Sequence, residues 1–290
     1  MSVQVLKARL GALVSNPPIF TIARILARLD IELNFVTRRE VVRFIKAGDP
    51  ARLEAIFRRI CRDAPQCGVD PDLSLADKHI LEIGCGRNGG LAPFMMRQNA
   101  KQYTGIDPLV HRDVLHSDAV LRALEQDYFK TSAISGTALQ DRFASQCEFL
   151  KSPDNRPLEP LDIVTSISCL EHIDDLESVI TSISETLASG GCHFHLVNFS
   201  NHLDRDQPFR WIYELSPDAF KQSHGAIVNL KRPSDMKVAF ENSGFETSLI
   251  PLDIRPEAVP TDTLHPWWRN NYDLEELAIR TAVLHAVKKP

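Results

Sequence analysis

The pattern of apolar and polar positions divides the chain into two parts. Over residues 1–66, apolar residues recur at the spacing of one helix face, which predicts a mostly helical N-terminal segment. From about residue 77 onward, short apolar runs alternate with helical patterns and are separated by glycine and proline turns. Residues 64–76, which contain two prolines and two acids, indicate a linker. We therefore expect a helical cap over 1–66 and an α/β domain over 77–290.

Turn residues and apolar runs place the predicted elements along the chain. In the first part, helices are expected over 38–47 and 51–62, with Thr37 and Glu40 as a capping box at the start of the first. In the second part, strands are expected at 80–83, 103–107, 147–150, from 161 onward, and at 192–198, 245–254 and 277–287. Helices are expected at 91–98, 119–129, 176–187, 216–222 and 234–242. The crossover at 109–146 is longer than one connecting helix requires and is a candidate lid.

Charge limits the classes of partner. The chain is 43% hydrophobic and carries a net charge of −5, which excludes a generally basic nucleic-acid binder. The charge is uneven, because residues 1–66 hold 12 lysines and arginines against 6 acids. This basic segment is either a solvated helical cap or a surface for an anionic substrate or an anionic lipid face. Peripheral membrane contact therefore stays open as a hypothesis, and no nucleic-acid partner is expected.

Cysteine spacing and hydropathy indicate the compartment. None of the six cysteines forms a C-x-x-C pair, so a zinc ribbon or a thioredoxin motif is not expected. Several cysteines stand in apolar strands, which is typical of buried, reduced thiols in a cytosolic protein. The uncharged stretch 10–23 contains two prolines and is shorter than the roughly 20 residues that a membrane span needs. We predict a cytoplasmic protein without an integral membrane span.

A glycine turn follows the first predicted strand. Gly84, Gly86 and Gly89 allow positive φ and close approach of a ligand to the backbone, and a helix follows. The spacing fits the dinucleotide fingerprint, in which the turn receives an anionic pyrophosphate. Glu82, however, stands two residues before the first glycine, where a carboxylate suits a cationic ligand and repels a phosphate. A nicotinamide-dinucleotide oxidoreductase and an enzyme with a cationic cofactor are therefore both open from this stretch.

The E-x-G-x-G pattern resembles motif I of the class I S-adenosylmethionine (SAM) methyltransferases. In that motif the acid helps to hold the amino-acid part of the sulfonium cofactor. The resemblance implies SAM as the cofactor, and it assigns the following residues to its site: Glu82, Gly84, Cys85 and Gly86. Asp107 matches the carboxylate at the end of the second strand that accepts the ribose hydroxyls, although a dehydrogenase uses a similar acid. Asp154 is the candidate for contact with the adenine.

The stretch 161–175 resembles the fourth-strand motif of small-molecule methyltransferases, an Asp-apolar-Val strand followed by Leu-Glu-His. The resemblance places Ser168 and Glu171 in the cofactor pocket and His172 next to the methyl group. A histidine accepts protons near neutral pH, so His172 is a candidate general base, and His202 in the loop after the fifth strand is the second. The alternative is that Glu171 and His172 only shape the pocket.

His193 and His195 alternate along the fifth predicted strand. A H-x-H pair is compatible with a metal site, but no carboxylate follows at a fixed spacing. No metal is therefore expected from the sequence.

The order of the elements is similar to that of the class I methyltransferases. The resemblance implies a Rossmann-like seven-stranded sheet with an antiparallel last strand, helices on both faces and an N-terminal helical cap. It implies methyl transfer to an oxygen atom of a small-molecule or glycan acceptor. An anionic acceptor is one of the possibilities. The alternative function is that of a non-catalytic SAM-binding partner subunit. A NAD(P)-binding oxidoreductase is the less favoured alternative. The oligomeric state stays open.

Overall fold

Seven strands form one mixed sheet in the order β3-β2-β1-β4-β5-β7-β6. The computed structural model describes residues 34–72, 74–130, 132, 134–152 and 160–289, so the helical pattern over 1–33 and the predicted adenine contact Asp154 lie outside the described residues. The strands are β1 (His79–Ile83), β2 (Gln102–Ile106), β3 (Cys147–Leu150), β4 (Leu161–Ile167), β5 (Leu187–Asn198), β6 (Phe245–Ile254) and β7 (Ile279–Lys288). The predicted bounds of the third and sixth strands are confirmed.

Strand directions place the loops that matter at one edge of the sheet. β1 is buried at every position and pairs in parallel with β2 and β4, as is usual for a mostly apolar strand of an α/β domain. β7 runs antiparallel between β5 and β6, which confirms the predicted antiparallel last strand. Because Asn198 pairs with Thr281, the start of β7 lies beside the end of β5. The carboxyl ends of β1, β2, β4 and β5 and the start of β7 therefore share one edge.

Helices cover both faces of this sheet. The helices are α1 (Asn34–Lys46), α2 (Asp49–Asp63), α3 (Ala92–Arg97), α4 (Arg112–Leu115), α5 (Asp118–Asp127), α6 (Gly136–Gln146), α7 (Leu176–Ser184), α8 (Pro217–His224), α9 (Pro233–Asn242), α10 (Pro266–Asn271) and α11 (Leu274–Leu277). One hydrophobic cluster joins α1–α6 to the sheet, and a second joins α7 and α9 to it. A third cluster, formed by α8, α10 and α11 around Trp268, covers the carboxyl edge near β5 and β7.

The described N-terminal helices share the core of the sheet. The ring of Phe57 in α2 lies 5.6 Å from that of Phe94 and 5.8 Å from that of Phe194 on β5. The stretch 64–76, which the sequence indicated as a linker, buries Cys67 and Leu75 in the same cluster. It is a packed connection, because its apolar side chains find partners on the sheet. The division into a cap and a domain stays a prediction.

Some predicted boundaries and one predicted number of helices were wrong. α1 begins at Asn34, so Thr37 lies inside the helix with a buried side chain and does not cap it. The long crossover holds three helices, α4 to α6, where the sequence indicated one. β5 begins at Leu187, because the Gly-Gly pair before residue 192 forms an irregularity within the strand and does not end the preceding helix. No helix among the described residues has the length and apolar character that crossing a bilayer requires.

Candidate active site

The turn after β1 requires its glycines. Gly84 has a φ of +78°, and a Cβ on it would lie 2.4 Å from Cys169 Sγ, in the segment after β4. A Cβ on Gly90 would lie 2.3 Å from a carboxylate oxygen of Glu82. Both approaches are closer than any side chain tolerates, so the turn lies directly on Glu82 and on the end of β4. Gly86, with a φ of +63°, completes the bend.

Glu82 lies beneath this turn and is 2% exposed. Its Oε2 accepts hydrogen bonds from the Leu91 amide at 2.7 Å and from the Tyr103 hydroxyl at 2.5 Å. Burial raises the pKa of Glu82 to about 7, against the lowering effect of these two bonds. Glu82 therefore ties β1, β2 and the start of α3 together and holds the glycine turn. Its contact with a cofactor stays a prediction.

Asp107 joins the end of β2 to the glycine turn. Its Oδ2 accepts a hydrogen bond from the Gly86 amide at 3.0 Å, and its Oδ1 accepts one from the Leu109 amide at 2.7 Å. Cys85 between the two glycines is buried, and burial raises the pKa of its thiol, so it is an apolar wall and not a nucleophile. The structure thus brings four predicted residues together at one edge: Gly84, Cys85, Gly86 and Asp107.

The end of β4 carries a short helical turn. Ser168 has a φ of +52° and donates its amide to Leu196 O on β5. Glu171 follows and is 2% exposed, and its carboxylate receives no side-chain hydrogen bond among the described residues but lies near the backbone amides of Glu171 and Asn198. Burial raises the pKa of Glu171 to about 8. Asn229, which the sequence did not single out, fixes the turn by donating its side-chain amide to Leu170 O at 2.9 Å and Ile173 O at 2.8 Å.

His172 lies in the same turn and is exposed to solvent. Its Nδ1 lies 2.6 Å from the carbonyl oxygen of Ile227. A carbonyl oxygen only accepts, so we assign the proton of the neutral ring to Nδ1, and Nε2 keeps its lone pair. The segment before α9 therefore sets the tautomer of a predicted catalytic residue.

His202 reaches the same place from the loop after β5. It has a φ of +58°, its Nε2 lies 3.5 Å from Glu171 Oε1, and its ring centroid lies 4.8 Å from that of His172. Burial, followed by the charge of His172, lowers the pKa of His202 to about 4, so the ring is neutral at pH 7. We call Glu171, His172 and His202 the Glu-His-His cluster, in which one ligand-type atom from each lies within 4.8 Å of the others.

The loop that carries His202 is built around Asn201, a fully buried residue that the sequence analysis missed. Its side chain donates to Gln207 O and Arg210 O and accepts from the amides of Leu203 and Asp204. Such a turn leaves a recognisable signal in the sequence, since Asn and Asp are both typical turn residues. Asn201 thereby holds His202 against the end of β4.

His193 and His195 point into the core and do not join the cluster. His193 Nδ1 lies 3.0 Å from His195 Nε2, and His195 Nδ1 lies 2.8 Å from Ser166 Oγ. The His193 ring packs edge to face on Phe240 and Phe245. Alternate residues of a strand point to the same face, so both histidines lie on the face of β5 that packs against the core.

A cleft of about 550 Å³ lies at the same edge, between the loop after β5 and the segment before α10. It was not predicted from the sequence, because its lining comes from three distant segments. Its charged lining consists of Arg205, Asp206, Arg210, Glu214, Arg255, Glu257 and Arg280. The carbonyl oxygen of Arg280 accepts the Phe199 amide at 2.8 Å, which places this end of the cleft beside the loop that carries His202.

Comparison with known proteins identifies the family. The sequence model of the family described as "Methyltransferase domain" matches residues 52–249. The chain is 33% identical over 187 residues to the ubiquinone biosynthesis O-methyltransferase of Marinobacter nauticus, covering 61% of this chain and 68% of the relative.

Two further relatives carry the same name. The one from Aromatoleum aromaticum is 28% identical over 183 residues, covering 62% of this chain and 69% of the relative. The one from Stutzerimonas stutzeri is 32% identical over 127 residues, covering 42% of this chain and 45% of the relative, so that match spans less than half of the relative's length. The family model covers more than half of this chain, which removes the dinucleotide alternative. With its glycine turn, its acid after β2 and its strand order, this chain belongs to the class I S-adenosylmethionine-dependent methyltransferases.

Proposed function

We propose that this methyltransferase transfers the methyl group of SAM to a hydroxyl oxygen of a polar small molecule. The observation that carries the proposal is the Glu-His-His cluster, at the edge where the glycine turn and Asp107 also lie. The names of the relatives, all O-methyltransferases, support oxygen as the accepting atom. A cytoplasmic location is part of the proposal and is supported by the free state of all six cysteines.

On the cofactor side, the backbone at Gly84, Cys85 and Gly86 would receive the amino-acid part of SAM. Asp107 would accept the ribose hydroxyls. Each of its oxygens already takes one amide hydrogen bond, and a carboxylate oxygen has a second lone pair for a hydroxyl donor. Ser168 would face the pocket through its backbone, and Glu82 would act by holding the turn. Asp154 remains the proposed adenine contact.

On the acceptor side, methyl transfer is an in-line displacement that depends on alignment of oxygen, carbon and sulfur. An aliphatic hydroxyl also needs help to lose its proton, because its pKa lies far above 7. His172 with a free Nε2 lone pair and His202 as a neutral ring are both able to accept that proton. Acidic phenols need less help, and carboxylates need none.

The cleft beside the cluster would hold the rest of the acceptor. Four arginines and three carboxylates line it, which suits a polar acceptor with hydroxyl or anionic groups, such as a glycan or an anionic small molecule. The basic N-terminal segment is the second candidate surface for an anionic acceptor.

The test has a binding arm and a turnover arm. In titration calorimetry we expect SAM and S-adenosylhomocysteine to bind and NAD not to bind. In a radiolabelled methyl-transfer assay we expect aliphatic polyols and phenols with anionic groups to be methylated in preference to matched amines. NAD binding without SAM binding, or transfer to amines alone, would overturn the proposal.

A further inference from the structure

We propose that Asn229 is a positioning residue for the acceptor reaction, which holds His172 in the orientation and tautomer that let its Nε2 accept the proton of the acceptor hydroxyl. The inference rests on the proposed function, since it concerns a histidine that the proposed function offers as a base. Asn229 lies in the segment before α9 and is 59 residues away from Leu170, whose carbonyl oxygen it contacts. The connection exists only in the folded chain.

The first argument is the number of bonds that Asn229 makes to the turn after β4. Its side-chain amide donates to Leu170 O at 2.9 Å and to Ile173 O at 2.8 Å, at the two ends of the turn. Its backbone amide donates to Glu171 O at 2.7 Å. One residue thus supplies donors to three of the four carbonyl oxygens of residues 170–173, which leaves the turn little freedom to shift.

The second argument is that the orientation of the Asn229 amide follows from its partners. Its Oδ1 accepts the Lys231 amide at 3.0 Å, so the oxygen is committed to its own segment. Leu170 O and Ile173 O only accept, so they require the NH₂ end of the amide. An ionised aspartate would have the same shape but no donor, and it would repel both carbonyl oxygens. The site therefore requires the hydrogen-bond donors of Asn229 and not only its volume.

The third argument is that the same segment holds the ring of His172. The carbonyl oxygen of Ile227, two residues before Asn229, lies 2.6 Å from His172 Nδ1. Because that oxygen only accepts, Nδ1 carries the ring proton and Nε2 keeps its lone pair. This bond and the three bonds of Asn229 come from one three-residue stretch, which fixes both the backbone and the ring of His172. A shift of the turn relative to this stretch would therefore break the bond that sets the tautomer.

The segment is itself anchored to the end of β5. Arg232 is 2% exposed, and its guanidinium donates to Leu230 O at 3.2 Å and to Phe199 O at 2.9 Å. Val228 and Leu230 are buried in the third hydrophobic cluster. Phe199 begins the loop that carries His202, so the anchor also fixes the segment relative to that loop. The turn after β4 is thus held against a rigid support.

The position of His172 matters because methyl transfer is an in-line displacement. As the acceptor oxygen forms its bond to the methyl carbon, its proton passes to His172 Nε2, and the electron pair of the broken C–S bond stays on the sulfur. The imidazolium that results keeps its Nδ1–H bond to Ile227 O. A misplacement of a reacting group by about 1 Å costs about 10²-fold in rate. A residue that touches neither acceptor nor cofactor can therefore control the rate.

The tautomer is tested by nuclear magnetic resonance on the full chain, without any acceptor. At mildly alkaline pH imidazoles are neutral, and in ¹⁵N-labelled histidine the protonated and unprotonated ring nitrogens give separate resonances. The signals of His172 are identified by their loss in His172→Ala. We expect the intact chain to carry the His172 proton on Nδ1 alone, and Asn229→Asp and Asn229→Ala to show both tautomers, as a histidine in water does.

Asn271→Ala is the matched control. It removes a similar bond, from an exposed side-chain amide in α10 to Trp267 O at 2.7 Å, and should keep the single tautomer of His172.

Kinetics test whether Asn229 acts through His172. With the polyol acceptors of the methyl-transfer assay, Asn229→Asp should lower kcat about 10²-fold, while the KM for SAM stays that of the intact chain. In the background of His172→Ala the same change should have little further effect, because the group that Asn229 positions is already gone. A merely structural role would give the same loss in both backgrounds. Circular dichroism and SAM affinity establish that each variant is folded.

Three results would overturn the inference. They are a single Nδ1–H tautomer of His172 in both Asn229 variants, an equal loss of kcat with and without His172, and a normal kcat in His172→Ala. Absence of transfer to every hydroxyl acceptor would instead count against the proposed function, and the tautomer measurement, which needs no acceptor, would still test the role of Asn229.

Discussion

Glu171 Oε1 and His202 Nε2 lie 3.5 Å apart, although the two residues come from loops after different strands. β4 and β5 are parallel neighbours, so their carboxyl ends bring these loops together. The contact leaves a buried carboxylate beside a neutral imidazole at the edge that also carries the glycine turn and Asp107. We therefore expect chemistry at the acceptor to depend on this pair and on His172.

We expect His172→Ala and His202→Ala each to lower kcat about 10²–10⁴-fold, the range for removing proton-transfer assistance. SAM affinity should fall less than tenfold, because the proposed cofactor contacts lie at the ends of β1 and β2. Steady-state kinetics and SAM titration on the same preparations measure both quantities. Near-normal kcat in both variants would show that catalysis rests on alignment alone.

Asp107→Ala should weaken SAM binding by about 1.5–3 kcal/mol, the scale for losing hydrogen bonds to a charged group. Part of the lost binding free energy should come from the glycine turn, because the Gly86 amide then has no carboxylate partner. Asp113→Ala, at an exposed position in α4, is the control and should bind SAM normally. Unchanged affinity in folded Asp107→Ala would disprove the ribose assignment.

Gly90→Ala should destabilise the protein more than Gly68→Ala. Both glycines have positive φ, which costs an alanine about 1–2 kcal/mol. The new Cβ at Gly68 meets nothing within 4 Å, whereas at Gly90 it lies 2.3 Å from Glu82 Oε2. We therefore expect Gly90→Ala alone to lose SAM affinity as well as thermal stability. Equal Tm values for the two variants would mean that Glu82 does not support the turn.

The buried histidines should make the protein sensitive to acid. Burial lowers the pKa of His193 to about 3, while in the unfolded chain a histidine binds its proton below about pH 6.5. The unfolded state thus binds more protons as the pH falls. The contribution of His193 to the free energy of unfolding should therefore be complete above pH 6.5 and decline below it by about 1.4 kcal/mol per pH unit, while the raised pKa values of Glu82 and Glu171 act in the opposite direction.

Urea unfolding from about pH 7 to about pH 4.5 measures this slope. His193→Gln removes the titrating group and should flatten the profile, with His195 contributing the remainder because burial lowers its pKa too. A slope that is identical in the variant and in the intact chain would contradict the assignment.

Phe57→Ala should lower the free energy of unfolding by about 3–5 kcal/mol, as expected for a large ring removed from a packed core. The ring is fully buried and contacts both α3 and β5. Leu274→Ala, with its side chain 51% exposed, is the control and should change stability by less than about 0.5 kcal/mol. A small effect of Phe57→Ala would favour an N-terminal cap that packs loosely on the domain.

The sequence by itself determined the elements whose signals are local. A buried strand followed by Gly84 and Gly86 and then by a helix is specified within about a dozen residues, because apolar runs, positive-φ glycines and a proline in the first helical turn act at short range. The strands Cys147–Leu150 and Phe245–Ile254 were likewise predicted with correct bounds. The resemblance of these motifs to a family then implied a seven-stranded sheet with an antiparallel last strand, and it implied the cofactor.

The tertiary structure decided which polar side chains meet. Nothing in the local pattern distinguishes Glu82, whose carboxylate accepts a side-chain hydroxyl beneath the turn, from Glu171, whose buried carboxylate receives no side-chain hydrogen bond. Nor does it reveal that His193 faces the core while His202 faces Glu171. These outcomes depend on parallel pairing of β4 with β5 and on buried amides such as Asn201 and Asn229, which fix loops through contacts between residues distant in sequence. Burial and partnership are properties of the packed chain, and in this protein they separate the structural histidines and glutamates from those of the site.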